Sequence, residues 1–278
     1  MSLRALALDW SLDGPVGAAF VVLVAAVGAL YLGAAARGRR LDRRGRRWPW
    51  RRTACFLGGL GVLVIDLYSG IGTGADTRLS VHMLEHMVMW VVVAPLLVAG
   101  APVRLALYAL PRMGRRRLGR CLRSPTVAAV TSPFGSVALF SALLLVTHLP
   151  AVYGLALSND YVHEAEHGLY LLTAVLVWAP LLGVDPLPHR PGSGGQFVCM
   201  VACMVPMGLI ALWLGVAASP VYGHYLRSLG AAALHDQREA ATVMWVGCLA
   251  AFALPALRLI PIPQRSGSPE IRSHRVAA

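Results

Sequence analysis

Charged residues are scarce in this chain of 278 residues, because Asp, Glu, Lys and Arg together make up only 14% of it. Soluble domains average about 25%. Apolar residues make up 57% of the chain, and several apolar runs reach about 18 residues, the length that crosses a bilayer. The scarcity of charge therefore excludes an ordinary soluble core and predicts an all-α membrane protein.

Lysine is absent, so all 25 basic residues are arginines, and only 13 residues are acidic. A basic chain of this kind can indicate a nucleic-acid partner. In a membrane protein, basic loops that hold the cytoplasmic side explain the same excess. We therefore expect no nucleic acid as a partner, and we expect the arginines to contact anionic lipids.

Cysteine is also sparse, since the chain has five and none forms a C-x-x-C pair. This pattern excludes the disulfide framework of a small secreted domain. The Met and Cys residues between positions 199 and 207 are interpreted as core packing. The N-terminal stretch holds Arg4, Asp9 and Asp13 instead of the basic cluster of a signal peptide.

Seven apolar segments predict a polytopic bundle of about seven transmembrane helices. We place these helices at residues 15–36, 53–71, 81–101, 126–149, 161–183, 196–218 and 239–260. Residues 1–260 are expected to form a single transmembrane domain. The stretch 261–278 is rich in Pro, Ser and Arg and lacks apolar periodicity, so we expect a disordered cytoplasmic tail there.

The arginines are unevenly divided between the two sides of this predicted bundle. One side holds 21 of the 25 arginines, chiefly in the segments 37–52 and 102–123. Cytoplasmic loops are the ones enriched in basic residues. We therefore predict that the N-terminus lies outside and that the C-terminus is cytoplasmic.

Histidines gather on the opposite, outer side, where seven of the nine are predicted to lie. The motif V-H-x-x-E-H occurs twice there, as VHMLEH at 81–86 and as VHEAEH at 162–167. Histidines four residues apart lie on one face of a helix. Ionisable side chains within a membrane are expected to face the bundle interior and to be paired or to bind a ligand.

These residue types predict a metal site, because imidazole nitrogens bind Cu, Zn, Fe and Ni. The predicted ligands are the histidines of both motifs and the one that ends the fourth span: His82, His86, His163, His167 and His148. Groups that could add or orient ligands are Glu85, Glu166, Asp236, Asp66, Met83 and Met87. Thioethers favour Cu(I), so copper is the expected ion and zinc is the alternative.

Residues 79–247 resemble the CtaG family of caa-type cytochrome c oxidase assembly factors. Four stretches carry the resemblance: HMLEHMVMWVVVAPLLVAGAP, HLPAVY, VHEAEHGLYLLTAVLVWAPLLG and DQREAATVMW. The resemblance implies a multi-pass protein of the bacterial inner membrane, with seven spans, that takes part in the maturation of haem-copper oxidases. It matches the motif histidines with the paired histidines of the family, His148 with its H-x-P motif and Asp236 with its D-Q motif.

We therefore expect a membrane-embedded assembly factor for cytochrome c oxidase that binds copper at its periplasmic face and is not an enzyme. Its expected partners are oxidase subunits and a periplasmic copper chaperone. H-x-x-E-H is also the inverted zinc-protease motif, which leaves open a membrane zinc metallohydrolase with a motif glutamate as base. A metal or proton transporter is a further alternative, as is haem held between one histidine from each helix.

Overall fold

The computed structural model describes residues 14–41 and 48–259, and all regular structure in this part of the chain is helical. The helices are α1 (Gly14–Leu41), α2 (Trp50–Tyr68), α3 (Gly70–Ala75), α4 (Leu79–Val88), α5 (Ala94–Ala99), α6 (Pro102–Ala109), α7 (Arg112–Leu122), α8 (Pro125–Val130), α9 (Pro133–Thr147), α10 (Pro150–Ala156), α11 (Asp160–Leu182), α12 (Ser193–Val216), α13 (Gly223–Leu229) and α14 (Ala233–Leu259). A π-helical turn, Met89–Val93, joins α4 to α5. The prediction of an all-α protein is confirmed for the described residues.

Four helical segments are long and apolar enough to cross a membrane: Gly17–Gly38, Leu79–Ala109, Asp160–Leu182 and Ser193–Val216. Helices α9 and α10, which meet at an angle of 84°, form a fifth if they are counted together. Helices α2 and α14 occupy the other two predicted positions but are not among these segments. Four or five candidate spans therefore support a membrane protein. The count of seven, the orientation of the termini and the single domain stay predictions, and the tail 261–278 lies outside the described residues.

Two apolar clusters form the core of the bundle. The larger one joins the inward faces of α4, α9, α11, α12 and α14, and it includes the buried rings of Trp90, Phe140 and Trp178. The smaller one packs α1 and α2 against the π-helical turn and α5, around Phe56 and Leu63. Helices α4 and α11 both contribute to the larger cluster. Each histidine motif therefore lies in the first turns of a helix that packs in the core.

The π-helical turn interrupts the segment that carries the first histidine motif. A π-helical turn breaks the regular α pattern of backbone hydrogen bonds. The carbonyl oxygen of Trp90, within this turn, accepts a hydrogen bond from Trp178 Nε1 at 2.8 Å. Since buried backbone groups are costly to leave unpaired, the indole of α11 stabilises the turn and joins the two motif-bearing segments.

The same segment bends again between α5 and α6. Ala101 has a φ of 52°, in the left-handed region that few residues other than glycine adopt, and α6 begins directly after it. The hydroxyl of Tyr31, on α1, donates to the carbonyl oxygen of Gly100 at 2.7 Å. The carboxylate of Asp185, in the loop after α11, accepts from the backbone N–H of Arg104 at 2.8 Å. Contacts from two other parts of the chain thus hold this bend.

Candidate metal centre

The two histidine motifs begin at the same position of their helices. His82 is the fourth residue of α4, and His163 is the fourth residue of α11. Because a helix turns once in about 3.6 residues, His86 and His167 follow one turn further along the same faces. The repeat in the sequence is therefore a repeat of helix register, and each helix presents one imidazole in a first layer and one in a second.

The four motif imidazoles, those of His82, His86, His163 and His167, lie in contact with one another. The ring centroids of His82 and His163 are 5.4 Å apart in the first layer, and those of His86 and His167 are 5.4 Å apart in the second. Nε2 of His82 lies 2.8 Å from Nε2 of His86. Two nitrogens that bind one ion at about 2.0–2.1 Å are themselves separated by about 3 Å. The spacing within α4 is thus close to that of nitrogens on one ion.

Glu85 lies among these imidazoles and is 1% exposed. Its Oε2 is 3.4 Å from Nε2 of His167, without the geometry of a hydrogen bond. Glu85, His82 and His163 form a group whose ligand atoms all lie within 4.8 Å of one another. Among the described residues, this is the only group of three or more His, Cys, Asp or Glu side chains that could hold a metal ion. The group draws on both motifs, so it is one candidate site shared by the two helices.

Several buried polar atoms of this cluster have no hydrogen-bond partner within the described chain. They are Nδ1 of His82, His86 and His167, Nε2 of His148, His163 and His167, and Oε2 of Glu85 and Glu166. Leaving one buried polar group unpaired costs about 1–3 kcal/mol. Such a concentration of unpaired nitrogen and oxygen atoms fits a bound cation, and the predominance of imidazole fits copper or zinc.

His148 approaches the cluster from the end of α9. It is 5% exposed, and its Nδ1 lies 2.9 Å from the carbonyl oxygen of Leu144. A carbonyl oxygen can only accept, so Nδ1 donates the proton and Nε2 keeps its lone pair. His148 lies within electrostatic range of both His82 and His86. The structure therefore brings the fifth predicted histidine near the motif imidazoles, and its part as a ligand stays a prediction.

Two tyrosines outside the predicted set border the motif imidazoles. The ring of Tyr153 lies 5.3 Å from that of His82, and the ring of Tyr170 lies 4.4 Å from that of His86. Tyr170 follows His167 by three residues on α11, so helical spacing alone could have identified it. Tyr153 offers no such signal, because it reaches the cluster only through the bend between α9 and α10.

The remaining predicted site residues lie around the cluster. Asp66, on α2, is 1% exposed and lies within electrostatic range of Glu85, and neither of its oxygens has a hydrogen-bond partner among the described residues. Met83 and Met87 pack in the larger apolar cluster. Asp236 accepts hydrogen bonds from the backbone at the start of α4. A part for these residues in metal binding stays a prediction.

The Met and Cys residues of α12 face the apolar core. Cys199 is 7% exposed, Met200 is 1% exposed, and Cys203 and Met207 are fully buried. All four belong to the larger apolar cluster, together with residues of α14. Their placement agrees with the interpretation of this stripe as packing.

The fold and this geometry define the class of the protein. It is helical, with several candidate membrane spans and a buried cluster of histidines. A family model described as cytochrome c oxidase caa3 assembly factor (Caa3_CtaG) matches residues 29–260. The match includes both histidine motifs, His148 and Asp236. The chain therefore belongs to the CtaG family of cytochrome c oxidase assembly factors, and the resemblance seen in the sequence is confirmed.

Curated proteins similar to this chain occur in mycobacteria. The chain is 29% identical over 247 residues to the uncharacterized proteins Mb0105 of Mycobacterium bovis and MT0111 of Mycobacterium tuberculosis. It is 27% identical over 247 residues to the uncharacterized protein ML1998 of Mycobacterium leprae. Each alignment covers 85% of this chain but 36% of the relative, so the chain spans little more than a third of their length. No solved structure matches the chain.

Proposed function

We propose that this protein binds copper and delivers it to cytochrome c oxidase while the oxidase is assembled. The observation that carries the proposal is the contact between the imidazoles of α4 and α11, whose ring centroids lie 5.4 Å apart in both layers. Membership of the assembly-factor family supports the oxidase as the destination. Copper is cargo in this proposal and no substrate bond is broken, so the protein is not an enzyme.

The four motif imidazoles would hold the ion as neutral ligands, with Nε2 of His148 as a further nitrogen and Glu85 beside them. Imidazole suits copper and zinc alike. Met83 and Met87 are neighbours of the motif histidines in the sequence, and their thioethers would favour Cu(I). Copper is therefore the proposed ion, and zinc is the alternative that elemental analysis distinguishes.

A zinc metallohydrolase fits this arrangement less well. In an H-x-x-E-H hydrolase, both histidines of a single motif bind the ion and the glutamate of that motif acts as the base. The compact group of His82, Glu85 and His163 instead takes one histidine from each motif. This supports one site shared by two helices over two separate hydrolytic sites.

The proposed location is the bacterial inner membrane, which the chain would cross several times. The uneven distribution of arginines supports an N-terminus outside the cytoplasm. With that orientation, the first turns of α4 and α11 would lie at the periplasmic side. Oxidase subunits are the proposed recipients of the ion, and a periplasmic copper chaperone is the proposed donor.

The experiment that tests this proposal compares the copper content of variants purified in detergent. His82→Ala combined with His163→Ala removes the first layer of imidazoles. We expect bound copper to fall to less than about a tenth of the wild-type amount, and oxidase activity in membranes to fall with it. Elemental analysis of the protein and a cytochrome c oxidase assay are the measurements.

The matched control combines His189→Ala with His235→Ala, because both histidines are exposed and lie outside the cluster. This control should keep the copper content and oxidase activity of the wild type. Unchanged copper in the folded His82→Ala/His163→Ala variant would overturn the proposal. Zinc in place of copper in wild-type protein would assign the site to the alternative ion.

A further inference from the structure

Helix α4 has no local cap at its N-terminus. The first N–H groups of any helix have no acceptor within the helix. Arg78 precedes α4, and its side chain makes no capping hydrogen bond. An arginine side chain has no acceptor atom, whereas Ser, Thr, Asp and Asn accept these bonds well. The helix that carries His82 therefore needs an acceptor from another part of the chain.

Asp236, in the first turn of α14, supplies this acceptor. Its Oδ2 accepts hydrogen bonds from the backbone N–H groups of Leu79 at 2.7 Å and Ser80 at 3.3 Å. Its Oδ1 accepts one from the hydroxyl of Ser80 at 2.5 Å and lies 3.9 Å from Nε of Arg78. Asp236 is 2% exposed. A buried carboxylate at a helix N-terminus also interacts favourably with the helix dipole.

Helix α11 is capped by its own chain segment. The side-chain oxygen of Asn159, which precedes α11, accepts hydrogen bonds from the N–H groups of Tyr161 at 3.1 Å and Val162 at 3.3 Å. Asn159 lies four residues before His163, and Arg78 lies four residues before His82. The two motif helices therefore share one register but differ in their caps, which are local for α11 and long-range for α4.

We propose that Asp236 is a positioning residue of the copper site, which fixes His82 by capping α4 across the bundle. The proposal rests on the copper function proposed above. The N–H of His82 donates the first hydrogen bond of the helix, to the carbonyl oxygen of Arg78 at 3.1 Å. If the first turn unwinds, His82 leaves its place beside His163, while His86 stays in the second turn. The cap therefore sets copper affinity through the first layer of imidazoles.

Removal of the cap tests the effect on affinity. Asp236→Ala should weaken copper binding about fivefold, the loss that an ordinary missing cap produces. The measurement is competition with a Cu(I) chelator, using the full chain in detergent. An affinity equal to that of the wild type would overturn the positioning role.

Gln237→Ala is the matched control for this variant. The side chain of Gln237 accepts from the N–H of Val221 at 2.7 Å and donates to the carbonyl oxygen of Leu214 at 2.9 Å. The substitution therefore removes two hydrogen bonds at the same turn of α14 but none at α4. It should lower the melting temperature and leave copper affinity within about twofold of the wild type. An equal loss of affinity in both variants would mean that Asp236 contributes general stability only.

A second-site substitution separates capping from direct coordination. Arg78→Asn gives α4 the residue that α11 has at the same position, Asn159, so it restores a local cap. In the Asp236→Ala background, Arg78→Asn should return copper affinity to within about twofold of the wild type. If Asp236 binds copper itself, Arg78→Asn restores nothing, and that result would overturn the proposal.

Hydrogen exchange of the metal-free protein reports on the cap without reference to copper. Amides 79–82 should exchange faster in Asp236→Ala, and slowly again after Arg78→Asn is added. Gln237→Ala should not change them. Unaltered exchange in Asp236→Ala would refute the cap. If Asp236→Ala exchanges faster but the wild-type protein binds no copper, the copper function is refuted while the capping role is supported.

Discussion

At the scale of single residues, hydrogen bonds decide which nitrogens can bind an ion. His148 donates from Nδ1 to the carbonyl oxygen of Leu144 at 2.9 Å, so its Nε2 keeps a lone pair. His82 and His86 meet through their Nε2 atoms at 2.8 Å, and the Nδ1 atoms of both have no hydrogen-bond partner among the described residues. At this distance only one of the two Nε2 atoms can carry a proton, so the other keeps its lone pair. Imidazoles held in this way are suited to bind an ion in the neutral form.

Copper binding should weaken as the pH falls. An imidazole binds a metal ion only when it is neutral, so protons compete with copper for the same nitrogens. Once the pH is below the pKa of a ligand histidine, affinity should fall about tenfold per pH unit for each imidazole that becomes protonated. Chelator competition at a series of pH values, from about pH 7.5 down to the lowest pH at which the protein stays folded, measures this. Affinity that rises toward acid, or that stays unchanged after the imidazoles have become protonated, would contradict histidine ligation.

The histidines of the cluster could be predicted from the sequence because their signal is local. Spacing of four residues places two imidazoles on one helix face whatever the rest of the fold does. Asp236 could be predicted as a candidate site residue, but its actual contacts could not, because it reaches α4 across 157 residues of sequence. Its carboxylate contacts backbone N–H groups, which no motif reveals.

At the scale of helices, other elements hold the segment Leu79–Ala109, and three contacts do so in addition to the hydrogen bond from Tyr31 to Gly100. Asp236 accepts from its first residue, Trp178 donates to the π-helical turn, and Asp185 accepts from α6 after the bend. The partners in these contacts are separated by 157, 88 and 81 residues of sequence. The shape of the segment therefore depends on its neighbours as much as on its own helix propensity.

Trp178→Phe tests the contact at the π-helical turn. The carbonyl of Trp90 loses its donor while the replacement stays apolar, so the free energy of unfolding should fall by about 1–3 kcal/mol. Thermal unfolding in detergent is the measurement. Trp50→Phe is the control, because Trp50 is 74% exposed, and it should change stability by less than about 0.5 kcal/mol. Equal melting of Trp178→Phe and wild type would show that the indole does not stabilise the turn.

The positions of the long helices could be predicted, whereas their irregularities could not. Long apolar runs indicate helices directly, and a helix lies at each of the seven predicted positions. Hydrogen bonds from other helices meet the π-helical turn and the bend at Ala101, and the 84° bend between α9 and α10 falls where α10 begins at Pro150. A sequence pattern read one segment at a time does not contain those contacts.

At the scale of the whole molecule, the arginines and the histidine cluster are predicted to lie at opposite sides of the membrane. Helix α7, Arg112–Leu122, has the sequence RMGRRRLGRCL and contains no buried residue. A strongly basic helix of this kind suits the anionic surface of a membrane. We therefore predict that α7 lies at the cytoplasmic side.

Labelling of Cys121 tests this orientation. Cys121 lies on α7 and is exposed, Cys55 is partly exposed, and Cys199, Cys203 and Cys248 are buried. A membrane-impermeant maleimide should label Cys121 in inverted membrane vesicles and spare it in intact spheroplasts. In a Cys121→Ser background, Ser158→Cys places an exposed thiol in the loop before α11, and it should show the reverse pattern. Labelling of Cys121 from outside would invert the predicted topology.

The long-range cap on α4 has a consequence for the time at which the site becomes complete. Leu79 and Asp236 are 157 residues apart, and α14 is the last described helix to be synthesised. At about 5–20 residues per second, the ribosome needs about 8–30 s to cover that interval. Throughout this interval, α4 carries His82 and His86 without the cap that Asp236 provides. On the proposed copper function, the site would therefore reach its full copper affinity only after α14 has been inserted.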